Sequence, residues 1–371
     1  MSKIQDKMTV LDKYVTQNLT LKNRVVMAPM TRSRATNRKG LATDLIAQYY
    51  EQRATAGLII SEGISVSKQA IGYINIPGIY SVEQTTSWKN VTEKVHQKGS
   101  KIFAQLWHVG RISHPDLLDG NLPLAPSEIN PNSECYTYSG FKSTVIPKAM
   151  TDQEIKNTVL DFQVAAENAM KADFDGIEIH AANGYLFHQF FAKCANTRTD
   201  QYGGNIENRA RILFETLDTI LQKIPSSKIG IRLSPDFKTW FGIQTDDETK
   251  QLFEYIITKL NTYSLAYLHI GGYVEADDHN PTQSILETAK HYRKLYKGSY
   301  IINRGFTKES ADDAIEQNVA DLISFGELFI SNPDLVKRFE LNTKLQKADQ
   351  STFYSTGEKG YIDYPFLEST I

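Results

Sequence analysis

Residues 174–211 read FDGIEIHAANGYLFHQFFAKCANTRTDQYGGNIENRAR. The run FDGIEIH at 174–180 alternates in a way that fits a strand with one side toward a core. It stops at His180, and Asn183, Gly184 and Tyr185 follow at once. An imidazole, an amide and a phenol therefore gather just past a strand end, where α/β proteins keep their chemistry. After the Gly203-Gly204 turn, Asn205 can cap a new helix and Glu207 suits its first turn.

Similar apolar runs stand on either side of this stretch. NRVVMAP at 23–29 and GLIISEG at 57–63 come first, then KIFAQLWHVG at 101–110. KIGIRLSP at 228–235, LAYLHIGG at 265–272, SYIINRG at 299–305 and ADLISFG at 320–326 follow it, giving eight strands in all. Helical patterns fall between them at 44–55, 151–171, 205–223, 246–260 and 308–317. Eight strands alternating with helices specify the α/β class and a (β/α)8 or TIM barrel, which occupies ~250 residues and grows by insertion. An open doubly wound sheet is the competing architecture on strand count alone. The 371 residues read as one domain, 1–371, because no linker or low-complexity tract divides them. The surplus falls mainly at 111–150, between the third strand and its helix. Carrying Pro115, Pro123, Pro126, Pro131 and Pro147, this insert is expected to cap the C-terminal mouth as a lid.

Composition narrows the function. With 41 basic and 43 acidic residues the net charge is -2, and no basic stripe suggests nucleic acid. The expected partner is a small molecule. The two cysteines, Cys135 and Cys194, form no CxxC pair, which argues against a disulfide framework or an iron–sulfur cluster. A reducing cytoplasm fits that usage, and no apolar run approaches the ~18 residues of a membrane span.

Strand parity then selects the residues that face inward. Phe103, Gln105 and Trp107 share one face of their strand, as do Glu178 with His180 and Gly230 with Arg232. Gln105, His180 and Arg232 should thus converge near the top of three consecutive strands. A guanidinium buried there needs compensation, either from an electron-rich ligand or from a structural ion pair such as one with Glu178. Other chemistries fit less well. His108, His114, His180, His188 and His269 include no pair at the i, i+4 spacing of a helical zinc site, so no metal is expected. No strand end carries the lysine of a Schiff-base aldolase, and Ser61 and Ser234 lie outside any GxSxG elbow. Gly305 and Gly326 follow the seventh and eighth strands, where barrels often bind phosphate. Tyr185 could serve as a proton donor or simply as packing, and Cys194 reads as an apolar filler.

Several stretches together resemble one family across essentially the whole chain. MAPMTRSRA, FAQLWHVGRISHP, GIEIHAANGYLFHQF, NTRTDQYGGNIENRARILFE, GELFISNPDL and GYIDYP are similar to the Old Yellow Enzyme family of FMN-dependent ene reductases. The resemblance implies a barrel with FMN at its C-terminal mouth and NADPH or NADH as reductant. It places Pro29, Met30 and Thr31 against the flavin, with the Thr31 hydroxyl near N5. Gly63 and Gln105 correspond to pyrimidine contacts, and Arg232 to the cation near N1 and O2 that steadies the anionic reduced ring. His180 and Asn183 match the pair that grips the oxygen of an activating carbonyl or nitro group. Tyr185 matches the proton donor, while Trp107 and Tyr361 match residues lining the substrate pocket. The implied turnover is ping-pong, with hydride delivered to the β-carbon of an activated alkene and a proton from Tyr185 to the α-carbon.

At the phosphate end the chain departs from the family. The usual small pair after the seventh strand is Asn303-Arg304-Gly305, and the usual Gly-Arg after the eighth is Gly326-Glu327. A carboxylate facing a phosphate is repulsive. The expectation is an exchange, in which Arg304 supplies the cation while Glu327 pairs with it or points away. That altered end also motivates the alternative of a flavin-binding store or sensor with little turnover. Monomer and homo-oligomer both fit the sequence.

Overall fold

The computed structural model describes residues 7–236, 240–272 and 279–368. Eight parallel strands close into a barrel: β1 Val25–Met27, β2 Leu58–Ser65, β3 Lys101–Trp107, β4 Gly176–His180, β5 Ile229–Leu233, β6 Tyr267–Gly271, β7 Tyr300–Asn303 and β8 Leu322–Phe325. β8 pairs with β1 and β3 with β4, so no edge is left open. The architecture is the one expected from the eight runs. The strands are continuous hydrophobic runs because both faces are covered. Outward residues such as Ile59, Ile102, Ile177 and Ile231 pack under the helices, and inward Val26, Leu58, Ile60, Phe103, Tyr267, Ile301 and Leu322 fill the lower barrel. Gly230 makes room for this filling, since a Cβ there would lie 2.2 Å from the Tyr267 ring. A hairpin, Tyr14–Val15 against Thr20–Leu21, plugs the bottom with Tyr14, Leu19 and Leu21.

Helix Asp152–Lys171 shows how the outer layer is specified. Thr151 and Glu154 form a capping box that satisfies the first-turn N–H groups, and Ile155, Val159, Phe162, Ala166 and Ala169 recur at helical spacing on the buried side. Asn205 caps Ile206–Leu221 through its side chain, as its position suggested. Some boundaries differ from the sequence reading. β1 spans only Val25–Met27 within 23–29, the helix expected at 44–55 ends at Gln52, and the one expected from 246 begins at Thr249. Each flank is polar or turn-forming, so the apolar run overstates the hydrogen-bonded length. Two helices that the sequence reading did not single out, Val82–Gln97 and Pro281–Arg293, complete the alternation.

The 111–150 insert holds a hairpin, Glu134–Thr137 against Gly140–Ser143, and a short pairing of Leu124–Ala125 with Lys148–Ala149. Buried Arg111 ties it to the segment after β5, donating to the carbonyls of Ile129, Phe241 and Gly242. It therefore sits beside the C-terminal end of the barrel.

Candidate active site

The top of β3–β8 carries a chain of buried polar groups. Gln105 on β3 donates from Nε2 to Glu178 Oε1 on β4 at 2.8 Å, and Glu178 Oε2 lies 2.9 Å from His269 Nδ1 on β6. His269 Nε2 sits 2.9 Å from Ser324 Oγ on β8 and 3.1 Å from an Arg232 amine on β5, whose other amine donates to Asn303 Oδ1 on β7 at 3.0 Å. Burial pushes His269 down to about 4, with Arg232 adding to the shift, so the ring is neutral. The network then fixes one tautomer: Nδ1–H donates to Glu178, and Nε2 accepts from Arg232 and Ser324.

The ion pair weighed for Arg232 thus passes through an imidazole. His269 and Asn303 meet the guanidinium as neutral acceptors. His269 was not foreseen in this role, although the alternation that selected Gln105 and Arg232 also selects it. It stands opposite Arg232 in the β5–β6 ladder.

Above this layer the structure gathers the polar groups that follow β4. His180 is 6% exposed and Tyr185 4%. Their rings meet edge to face at 5.2 Å. Burial holds His180 well below the usual histidine range, with the Arg232 charge adding to the shift, and its Nδ1 has no hydrogen-bond partner. Asn183 adopts φ 57°, a left-handed conformation asparagine tolerates better than most residues. Its Oδ1 lies 2.6 Å from Ser234 Oγ, whose single proton it shares with the Gly271 carbonyl, also at 2.6 Å, so the NH2 end is turned away from Ser234. Ser234, set aside as a nucleophile, is thus the group that orients Asn183.

Trp107 on β3 is the wall behind both rings. It lies parallel to His180 at 6.0 Å and edge-on to Tyr185 at 4.9 Å, and its Nε1–H is buried without a partner. Its plane is set from below by Gly63, because a β2 bulge brings the Gly63 Cα to where a Cβ would lie 2.3 Å from the indole. Pro29, Met30 and Thr31 leave β1 partly exposed at the same end.

Beside Gly63 is Glu62, which the sequence reading passed over. Burial pushes its carboxyl up to about 7, opposed by the Arg32 N–H and by the Arg32 and Arg34 charges. No periodicity marks a lone polar residue at a bulge.

One expectation needs correction. Tyr361 does not line the mouth. It is fully buried, stacked on Tyr49 at 4.0 Å, with Arg32 and Arg34 over its ring. The cause is the arginine pair, whose guanidiniums bind carbonyls of residues 352–360 and draw the C-terminal segment inward. At the phosphate end Glu327 takes the second of its two expected forms and points away. Arg304, 6% exposed, pairs with Asp236 past the end of β5 at 2.8 Å rather than with Glu327. Glu327 is exposed as the first residue of the short helix Glu327–Ser331, capped by Gly326. Gly305 follows Arg304 with φ 66°, and its carbonyl accepts from Thr282.

Comparison with known proteins identifies the family. The profile of the NADH:flavin oxidoreductase / NADH oxidase family matches residues 15–346. The chain is 38% identical over 374 residues to 12-oxophytodienoate reductase 1 of Oryza sativa subsp. japonica, covering 97% of this chain and 93% of that protein. Among solved structures, the old yellow enzyme homologue from Zymomonas mobilis superposes with a TM-score of 0.91 at 37% identity, covering 97% of this chain and all of that one (100%). Morphinone reductase in complex with tetrahydroNAD superposes at 0.90 with 41% identity, covering 98% of both chains. The chain therefore belongs to the NADH:flavin oxidoreductase / NADH oxidase family, the Old Yellow Enzyme group that its motifs resemble.

Proposed function

We propose that this oxidoreductase uses FMN and NADPH or NADH to reduce the activated C=C bond of an α,β-unsaturated carbonyl or nitro compound. The observation that carries the reading is the pair of His180 and Tyr185 rings against Trp107, with Asn183 held by Ser234 between them in sequence and the Arg232 guanidinium one strand away.

The residues at the mouth suit a flavin in their donor chemistry. Arg232 brings a guanidinium to this end of the barrel, bonded to His269 and Asn303, and the buried Nε1–H of Trp107 and Nδ1 of His180 lack protein partners. Pro29, Met30, Thr31, Gly63, Gln105 and Arg232 would hold the ring, and Arg304, Gly305 and Gly326 would hold the phosphate end beside the start of helix Glu327–Ser331. When bound, FMN supplies the hydride relay between nicotinamide and alkene.

The chain's own residues do the rest. His180 stays neutral because burial disfavours its cation, so it meets the substrate oxygen as an N–H donor whose state does not change near neutral pH. Asn183, steadied by Ser234, gives the second N–H. Together they draw electron density from the alkene. Tyr185 supplies the proton at the α-carbon, and Trp107 excludes water behind it.

The commitment of Arg304 to Asp236 favours a second reading, a flavin-binding protein with little turnover. One experiment separates the two. The protein should be yellow, bleach on anaerobic addition of NADPH, and regain its colour when cyclohexenone is added. Bleaching without enone-dependent recovery would favour the second reading. A folded, colourless protein that refuses added FMN would end both.

A further inference from the structure

A phenol that gives its proton to carbon must recover it, and Tyr185 is poorly placed to do so alone. It is 4% exposed, and a phenolate left in so apolar a setting would be costly. Its hydroxyl lies 3.1 Å from that of Tyr73, so one phenol donates to the other. The contact is held from both sides. The Tyr73 ring lies parallel to Trp107 at 5.6 Å, and the same indole meets Tyr185 edge-on at 4.9 Å, so one rigid ring sets the positions of both hydroxyls. Tyr73 differs from Tyr185 in its surroundings. It is half-buried, and it lines a narrow cleft of about 50 Å³ with Asn37, Arg38, Ser65, Asn75 and Tyr138. A polar cleft of that size has room for water, which occupies spaces of about 10–15 Å³ or more when polar groups line them.

We propose that Tyr73 is a relay residue that passes a solvent proton to Tyr185 during substrate reduction. The proposal rests on the reading of Tyr185 as the proton donor. As the C–H bond forms at the α-carbon, the Tyr185 O–H bond breaks. The Tyr73 O–H bond breaks as that of Tyr185 re-forms, and water in the cleft returns a proton to Tyr73. One solvent proton enters the product, and the hydride still comes from the reduced nicotinamide by way of the flavin. Because two O–H bonds change together, no bare phenolate stays beside Trp107. Tyr73 touches no reacting atom and acts only through Tyr185.

The test uses the FMN-loaded protein in anaerobic stopped flow, with NADPH and cyclohexenone mixed in separate steps. Tyr73→Phe keeps the ring on Trp107 and removes the hydroxyl. Flavin bleaching by NADPH should stay within about twofold of the parent, while reoxidation by the enone slows about tenfold, less than the ~100-fold or more typical of losing a general acid. In mixtures of H2O and D2O the parent should show a curved proton inventory, which becomes linear in Tyr73→Phe. The double variant Tyr73→Phe/Tyr185→Phe should be no slower than Tyr185→Phe alone, because the two act as one unit. Tyr73→His, which can also carry a proton, should recover part of the rate. A parent-like reoxidation rate in Tyr73→Phe, an inventory that is already linear in the parent, or multiplicative losses in the double variant would each overturn the relay. If Tyr185→Phe reoxidises at the parent rate, the assignment of Tyr185 as donor falls instead.

Discussion

The stability of this fold should collapse on mild acidification, for a reason visible in its histidines. Burial lowers His108 and His188 to about 3 and His269 to about 4, and holds His180 well below 6.5. These four of the eight histidines are kept neutral by the fold, whereas the unfolded chain protonates them near their ordinary value of 6.5. Acid therefore favours unfolding. Their contribution is complete above pH 6.5 and is lost as the pH falls below it.

Glu62 works in the opposite sense. Burial raises it from 4.5 to about 7, so its contribution is present below 4.5 and lost as the pH rises through 7. Between pH 7.5 and 5.5 the four histidines together lose about 5–6 kcal/mol, of which Glu62 returns about 2, leaving a net loss of about 4 kcal/mol. That is a large share of the 5–15 kcal/mol typical of a folded protein.

Urea unfolding of the FMN-loaded protein, followed by far-UV circular dichroism at fixed ionic strength, would read the loss as a falling midpoint at constant slope. Glu62→Gln removes the opposing contribution and should deepen the loss to about 5–6 kcal/mol over the same window. A midpoint that is flat or rises between pH 7.5 and 5.5 would refute the reasoning.

Three further substitutions probe the mouth. Gly63→Ala drives a Cβ into the Trp107 ring, and because that ring backs His180, Tyr185 and Tyr73, it should cost about 1–3 kcal/mol in a thermal melt and lower the FMN bound per chain. A stable variant with full FMN occupancy would show that the indole can move freely. Arg304→Ala removes a charge-assisted bond worth about 1.5–3 kcal/mol, so by equilibrium dialysis it should weaken FMN at least about tenfold, while Glu327→Ala leaves it unchanged. The reverse order would take Arg304 away from the phosphate.

How much of this was legible in the sequence depended on what the signal measured. The strands could be read because a parallel barrel buries both faces of each one, and GIEIH or KIGIRL then stands out as an apolar run. Helices Val82–Gln97 and Pro281–Arg293 were harder. In the first, Trp88, Val91 and Val95 are diluted by polar residues, and in the second only Ile285, Ala289 and Tyr292 are buried. In the site, parity brought Gln105, His180 and Arg232 to one end and could have delivered His269. Ser234, Asp236 and Tyr73 were out of its reach, because they lie on loops, where no period fixes a direction. Tyr361 was misplaced for a related reason. Its position depends on Arg32, Arg34 and Tyr49, all distant along the chain, and on contacts to backbone atoms that carry no side-chain signature.

Those contacts have a consequence for how the C-terminal segment can vary. Arg34 alone reaches carbonyls of Thr352, Phe353, Gly357 and Lys359, Arg32 reaches Phe353 and Gly360, and Arg53 reaches Tyr361. Every residue type carries the same carbonyl, so most substitutions along this tether leave its fastening intact. Removing the tether would be another matter, taking most of their partners from two interior cations, Arg32 and Arg34, at once. Such a tail can drift in spelling while remaining compulsory in length.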